Sequence, residues 1–403
     1  MKFGLFFNPL VPKAPGQDDW EPGQERRSLL EMIEQIRFAD SLGVDYVFLG
    51  EHHFMPEYAH NSAPEVLLGA LAVSTRRIRL GTGIIHSSHN DPVRTAERIA
   101  TIDQISGGRV EFGFGGGTDA EVAPLLMPAF ADRRREVAAA SAQISADILA
   151  THGTWGGVDN DFFTYPRLNV VPKSYQSPHP PLWTSTTLPG QTPGAAQRGL
   201  GVLMLAGAGM ESAARDIERY WETLRSGAVH PVGRGVNPAV FVFVNGILAP
   251  SDEIAEERVR PGLELFGFGL TGGAVFGVGD PHHHLHDAFL DFRAGRRDIR
   301  ADAPLPEAVK PMMLEMGRRF AELPMTCMAG PRKALEYARS LEATHADAMM
   351  LRYDFGVKHE HAMESLEILA REIMPEFRAR EHRHQTWRKQ QMEGIAYPIV
   401  TSV

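Results

Sequence analysis

The feature that most constrains the fold is a repeated alternation of short apolar runs and amphipathic segments over roughly the first 115 residues. Short runs rich in β-branched and aromatic residues predict strands, and apolar residues at helical spacing predict the helices between them. No hairpin signal interrupts the alternation, so the pattern predicts βαβ units and a parallel sheet. The predicted strands are 2–8, 44–50, 78–85 and 109–114, and the predicted helices are 24–43, 63–74 and 91–105.

A doubly wound sheet and a closed barrel both satisfy this alternation. Polar residues or glycines end nearly every predicted strand, whereas a doubly wound sheet concentrates them at one switch point. The sequence therefore favours an α/β fold of the TIM (β/α)8 barrel type with insertions. Further strands are predicted at 182–186, 202–205, 239–248 and 346–352.

One barrel domain is expected to occupy residues 1–377, with an insert at about 262–305 that breaks the alternation. The insert is rich in glycine, then histidine, then charge, and we expect it to lack regular structure and to form a lid or an oligomer contact. The basic C-terminal tail, residues 378–403, is expected to be partly ordered at best or docked on a second subunit.

Composition limits the possible partners. The chain has 403 residues and a net charge of −9, which argues against nucleic acid or an anionic membrane as a partner. Its one cysteine, Cys327, excludes an internal disulfide and is expected to be a small core residue. The N-terminus has too short an apolar run for a signal peptide, and no stretch approaches the ~18 apolar residues of a membrane span. A cytoplasmic location is expected.

The second predicted strand ends abruptly on three ionisable residues, Glu51, His52 and His53. In a barrel of parallel strands, chemistry takes place just past the C-terminal ends of the strands. The tripeptide is therefore a candidate active site, although a surface loop would have the same sequence. The other predicted strands end in Gly83-Ile84-Ile85-His86, Gly113-Phe114-Gly115-Gly116-Gly117 and Thr184-Ser185-Thr186-Thr187.

A second group of histidines, His282, His283, His284 and His286, raises the question of a metal site. Histidines this close together in a glycine- and proline-rich segment are more often exposed to solvent. No cysteine or acidic pair completes a tetrahedral set at ligand spacing. No metal site is predicted.

Five motifs occur in order along the chain: Met1–Phe7, Glu51–Phe54, Gly81–Ile85, Asp91–Glu97 and Asp103–Gly113. With them the chain resembles the bacterial luciferase-like flavin monooxygenases over residues 1–225 and again over 325–377. The resemblance implies a TIM barrel that binds reduced FMN, captures O₂ as a flavin C4a-peroxide, and oxygenates an aldehyde or similar compound. It also implies that His52 works beside the flavin, a role that suits a side chain titrating near neutrality. Glu51 would face the flavin or hold the histidine, and His53 would be a packed histidine.

The resemblance also assigns cofactor contacts. Gly83 and Ile84 would lie under the flavin ring through a cis peptide bond. Glycines such as Gly115 and Gly116 would let a flat ligand approach the backbone. The end of the next strand, Thr186 and Thr187, would also contact the cofactor.

The chain departs from the luciferase pattern where the phosphate of FMN binds. It has Gly116 in place of an arginine, and Thr187 and Leu188 in place of a carboxylate and a serine. Candidate replacements are backbone N–H groups of a helix opening near Thr187 and one of three consecutive arginines, of which Arg134 is chosen. A solvated helix start is the other interpretation of the arginines, which are Arg133, Arg134 and Arg135.

The preferred function is an FMN-dependent monooxygenase supplied with FMNH₂ by a separate reductase, because no nicotinamide-binding fingerprint is present. The alternatives are a deazaflavin (F420)-dependent oxidoreductase on the same barrel and a non-catalytic flavin-binding homologue. The organic substrate is left open. A homodimer, or a heterodimer with a related chain, is expected to pack through the helices after the second and third strands.

Overall fold

Eight parallel strands close into a barrel in the computed structural model, which describes residues 1–205, 208–273, 284–302, 307, 310–352 and 354–403. The closure confirms the predicted TIM barrel. Its first strand pairs with both the second and the last, so the two ends of the chain meet in the sheet. In order around the barrel, the strands are β1 (Lys2–Phe7), β2 (Tyr46–Leu49), β3 (Arg79–Thr82), β5 (Val110–Gly115), β8 (Leu182–Thr186), β9 (Gly201–Met204), β10 (Val240–Leu248) and β12 (Ala348–Arg352).

Four further strands lie outside this ring. A two-residue strand, β4 (Ile85–His86), pairs with β5, and β11 (Thr326–Ala329) pairs with the end of β10. The remaining two, β6 (Val158–Asp159) and β7 (Thr164–Tyr165), form a small antiparallel ribbon. Cys327 is buried in β11, as expected of a core residue.

Helices connect the strands and cover the barrel. The predicted start of one helix at Asp91-Pro92 is confirmed, because the Asp91 side chain caps the helix by accepting from the backbone N–H of Arg94. Left-handed glycines, Gly43 and Gly107, end two of the helices. The helices are α1 (Gln24–Leu42), α2 (Pro64–Ser74), α3 (Pro92–Ser106), α4 (Asp119–Val122), α5 (Arg134–Leu149), α6 (Thr192–Gln197), α7 (Met210–Arg225), α8 (Asp252–Phe268), α9 (Leu285–Arg293), α10 (Lys310–Arg318), α11 (Pro331–Glu342), α12 (His359–Ile368), α13 (Met374–Ala379) and α14 (Glu381–Met392).

Two apolar layers hold the barrel together. The larger lies between the sheet and the helices, and the smaller fills the barrel interior with aromatic side chains such as Phe48, Trp183 and Phe241. Because strand side chains alternate between faces, the residues two positions further along continue the inward row toward the C-terminal ends of the strands. We call that end of the barrel the mouth.

The predicted third strand, 78–85, is divided into β3 and β4 at the peptide between Gly83 and Ile84. That peptide is cis, which confirms the prediction made for this pair.

The expectation of an insert without regular structure was wrong for its described part. Helix α8 continues to Phe268, and α9 covers Leu285–Arg293. Glycines in α8 permit this, because a Cβ at Gly262 would clash with the backbone of Phe355, and one at Gly267 with Phe320. Glycine therefore indicates close helix packing here. His282 and His283 lie outside the described residues.

The C-terminal tail is ordered on its own barrel, contrary to expectation. His384 and Arg388 of α14 are buried and both donate to the carboxylate of Asp347, which precedes β12. A bridge between Val236 and Ile399 adds the tail to the barrel. Among the described residues, no helix combines the length and apolar content needed to span a bilayer.

Candidate active site

Glu51 follows β2 directly and is almost fully buried, with 4% of its surface exposed. Its carboxylate accepts from His53 Nε2 at 2.7 Å, from the backbone N–H of His86 at 3.0 Å and from Asn90 Nδ2 at 3.0 Å. His89 Nε2 lies 3.3 Å away. Burial opposes the charged form, but the hydrogen bonds from His53 and His89 outweigh it and hold the pKa of Glu51 far below its usual range. Of the two neighbouring histidines, Glu51 therefore holds His53.

His52 makes a different pair. Its Nδ1 lies 2.7 Å from Oε1 of Glu121, a carboxylate with no exposed surface. The same Oε1 accepts from the backbone N–H of His53 at 3.1 Å, and Thr118 Oγ1 donates to Oε2 at 2.7 Å. Burial alone would raise the pKa of Glu121, but the hydrogen bond and charge of His52, with the charge of His86, lower it to about 2.

Sequence reasoning does not find Glu121 as the partner of His52, because the two residues lie 69 positions apart in the chain. A signal was present. Thr118 and Glu121 have the Thr-x-x-Glu spacing of a helix start, directly after the glycine run. The Thr118 hydroxyl accordingly donates to the carboxylate of Glu121 and accepts from its backbone N–H.

A histidine group surrounds Glu51. The nearest ligand atoms of Glu51, His53, His86 and His89 all lie within 4.8 Å of one another, a set that could hold a metal ion. The 2.7 Å distance from Glu51 to His53 is a hydrogen-bond distance, so the group as found is a hydrogen-bonded network. Burial lowers the pKa of His86 to about 4, and the hydrogen bond to Glu51 raises the pKa of His53.

The floor of the mouth beside His52 carries almost no side chains. Gly50 and Gly83 directly follow β2 and β3, Gly115 ends β5, and the side chain of Ile84 packs against Gly115. A Cβ on Gly83 would lie 3.0 Å from Phe6 and 3.1 Å from Phe48, so the aromatic interior directly supports this floor. A flat ring system fits such a surface, because it can approach the backbone closely.

Arg134, one of the three candidate arginines, contacts the glycines at the end of β5. Its Nη1 donates to the carbonyl of Gly116 at 2.8 Å and also to the carbonyl of Gly117, so two of the predicted cofactor residues are brought together. Arg133 points away and pairs on the surface with Glu136 and Asp161.

The end of β8 differs from expectation. Trp183 lies in the barrel interior, so alternation places Ser185 on the inward face and Thr186 on the other. Helix α6 begins at Thr192, not near Thr187. The backbone N–H groups of Thr187 and Leu188 are already bonded to the Gln191 side chain, which removes them as free phosphate donors in this arrangement.

The sequence model of the luciferase-like monooxygenases matches residues 1–323, most of the chain. The chain belongs to this family. The luciferase-like family is an oxidoreductase family, and the site just described lies wholly within the matched region.

Individual relatives match the chain at sequence identities of 24% and 31%. The oxygenase component of a flavin-dependent trigonelline monooxygenase from Acinetobacter baylyi is 24% identical over 355 residues, 86% of this chain and 89% of the relative. The uncharacterised protein y4wF of Sinorhizobium fredii is 31% identical over 203 residues, 50% of this chain. That match spans 58% of the length of y4wF.

Two solved structures share the fold of this chain. The oxygenating constituent of 3,6-diketocamphane monooxygenase from Pseudomonas putida, solved with FMN, has a TM-score of 0.65 and is 19% identical, covering 93% of this chain and 98% of its own. The F420-dependent tetrahydromethanopterin reductase of Methanopyrus kandleri has a TM-score of 0.61 at 19% identity, covering 93% and 99%. Both deazaflavin and flavin enzymes thus use this barrel.

Proposed function

We propose that this protein is a monooxygenase that uses reduced FMN and O₂ to oxygenate a small organic substrate, with His52 as its catalytic residue. The observation that carries the proposal is the pair formed by His52 and Glu121 beside a floor of glycines at the barrel mouth. Bound there, the flavin would supply the two electrons that activate O₂.

The residues around the floor suit a flavin. Gly83, Ile84 and Gly115 offer a backbone surface for the ring, with Gly116 beyond it. Arg134, held over Gly116, supplies the positive charge that a phosphate requires at the end of β5. Thr186 ends the neighbouring strand, β8, and Thr187 follows it. On this strand, Ser185 is the residue whose hydroxyl lies on the inward face of the barrel.

The pair of His52 and Glu121 also determines which ring nitrogen of His52 can reach the reacting groups. A carboxylate accepts hydrogen bonds, so Nδ1 carries the proton toward Glu121. Nε2 has no hydrogen-bond partner among the described residues, and it is the atom available to the reacting groups. Because Glu121 is negative and buried, it stabilises the imidazolium that forms when Nε2 takes a proton. His52 can therefore take a proton and return it during oxygenation.

The test is replacement of His52 by alanine. Flavin affinity rests mainly on the floor and phosphate contacts, so it should stay within roughly tenfold, about 1.4 kcal/mol. Product yield from FMNH₂, O₂ and a panel of aldehydes and ketones should fall about 10²-fold or more. His53→Ala is the matched control. It removes a donor to Glu51 and should mainly lower stability. Tightly coupled turnover by His52→Ala would show that this site is not the active site.

The alternative is an F420-dependent oxidoreductase, favoured by the structural likeness to the F420-dependent reductase. Oxygen consumption with FMNH₂ supports the monooxygenase, and hydride transfer with reduced F420 supports the alternative. A non-catalytic flavin-binding homologue would show neither activity. The monooxygenase would need a separate flavin reductase, as expected for a chain similar to an oxygenase component.

We infer in addition a dimer through α2 and α3, as the sequence suggested. Large apolar side chains are exposed on both helices: Val66 at 70%, Val73 at 74% and Ile105 at 50%. Exposed apolar residues grouped in this way are typical of a protein interface. Light scattering at micromolar concentration should give the mass of two chains, and Val73→Glu should halve it. A monomer in the wild-type protein would contradict this inference.

A further inference from the structure

Three polar side chains lie at the barrel mouth, two of them on adjacent strands and the third just past the end of the next strand. Asn245 of β10 is the register partner of Arg352 of β12, and Arg352 is the partner of Phe6 in β1. Asn8 lies two residues after Phe6 and so continues its row. All three are buried, with exposures of 2% for Asn245, 9% for Arg352 and 2% for Asn8.

Each of these side chains has a buried polar atom without a hydrogen-bond partner in the described structure: Asn8 Oδ1, Asn245 Oδ1 and Arg352 Nη2. Buried polar groups are nearly always paired in proteins, and each exception calls for an explanation. Three exceptions on neighbouring strands at the mouth of the barrel indicate a place where a ligand completes the hydrogen bonds.

Arg352 has one carboxylate partner among the described residues, and the hydrogen bond between them is long. Its nearest carboxylate is Asp354, whose Oδ1 lies 3.4 Å from Nε. Burial raises the pKa of Asp354, which weakens it as a counter-ion. Aromatic rings flank the guanidinium instead, with Phe266 at 4.0 Å and Phe6 at 5.3 Å from Cζ. A planar guanidinium held between rings, with one unpaired nitrogen, is suited to a carboxylate.

Aromatic rings connect this place to His52. Phe266, which stacks on Arg352, also stacks on Tyr58 with centroids 4.9 Å apart. The Tyr58 ring is in turn 6.2 Å from the ring of His52. The glycine floor lies across the mouth, at the ends of β3 and β5. Phe266 and Tyr58 therefore form a continuous chain of aromatic contacts between Arg352 and His52.

We propose that Arg352, flanked by Asn8 and Asn245, binds a carboxylate of the organic substrate, and that the substrate is an aromatic or apolar carboxylate. The proposal rests on the proposed function for its use in catalysis. The asparagine amides can turn by 180°, so that Nδ2 faces the carboxylate. The aromatic side chains between Arg352 and His52, Phe266 and Tyr58, then give the rest of the substrate apolar surroundings.

Benzoate and its neutral analogue benzamide serve as probes, measured by calorimetric titration of the full-length protein with and without FMN. The wild-type protein should bind benzoate at least about tenfold more tightly than benzamide. Arg352→Gln should weaken benzoate about 10- to 100-fold, as expected when a charge-assisted hydrogen bond is lost. Benzamide and FMN affinities should change by less than about threefold. Arg339→Gln, at a surface ion pair, is the control and should bind benzoate like the wild-type protein.

Equal affinity for the two probes, or unchanged benzoate binding in Arg352→Gln, would overturn the proposal. If that variant loses FMN affinity but binds benzoate normally, Arg352 binds the flavin phosphate. The proposal would then be overturned as well. If Arg352→Gln does not fold by circular dichroism, Asn245→Asp decides, because it places a carboxylate against Arg352. Benzoate should then bind more than about tenfold less tightly, and retained binding would refute the subsite. The titrations need no turnover, so a protein inactive with FMNH₂ would refute the proposed function alone.

Discussion

Replacing Glu121 by glutamine keeps the shape of the side chain and removes the charge that faces His52. The pKa of Glu121 is about 2 against an ordinary 4.5. That difference is worth about 3 kcal/mol in favour of the carboxylate, shared among His52, His86 and Thr118. His52 makes the short bond and contributes most of the favourable interaction. We therefore assign it roughly 2 kcal/mol, and expect a step that needs the imidazolium to slow by about 30-fold.

The assay is product yield per FMNH₂ consumed, with hydrogen peroxide release as the measure of uncoupling, between pH 5 and 9. Glu121→Gln should lower the yield, because the imidazolium that forms on His52 loses the carboxylate that faces its Nδ1. Thr118→Val is the matched control. It removes one bond to Oε2 but keeps the charge, and should stay within about threefold. Wild-type yield and wild-type coupling in Glu121→Gln would refute the role given to this carboxylate.

Two further predictions concern stability. Burial lowers the pKa of His86 to about 4, below the ordinary 6.5 of the unfolded chain, so the unfolded state binds more protons between these values. Its contribution to the free energy of unfolding should therefore fall by about 3 kcal/mol as pH drops from 6.5 to 4. Urea unfolding across this range measures the fall, and a His86→Gln variant with the same slope would contradict it. Arg388→Met leaves the buried Asp347 without its charged partner and should cost about 3–5 kcal/mol. A thermal midpoint equal to that of the wild-type protein would refute that estimate, and Asp347→Asn combined with Arg388→Met should restore part of the loss.

The barrel and one half of the candidate site could be predicted from the sequence, because strand ends and catalytic residue types are local features. Glu51, His52 and His53 end a single strand and are visible together. Their partners could not be predicted, because the pairing of Glu51 with His89 and of His52 with Glu121 depends on how separate loops pack at the mouth.

The same reason explains Arg352, which looks like an ordinary residue at the end of a strand. Its neighbours Asn8 and Asn245 become visible only when the register of three strands is known. The two predictions that rested on composition, for the glycine-rich insert and for the polar tail, were wrong. The glycines of α8, Gly262 and Gly267, lie within a helix, where they allow Phe355 and Phe320 to pack closely. The polar tail is ordered because one buried carboxylate, Asp347, holds two of its side chains.

The tail has a consequence for how the protein is made. Ser402 accepts a hydrogen bond from Tyr46 through its backbone carbonyl, 356 residues away in the chain, and Val403 packs against the interior of the barrel. β1 likewise needs β12 as a partner before the ring closes. Contacts of such long sequence separation form slowly and late. During synthesis, the earlier strands must remain without these partners until α14 and the residues after it have emerged, so this is the stage at which a chaperone would be most valuable.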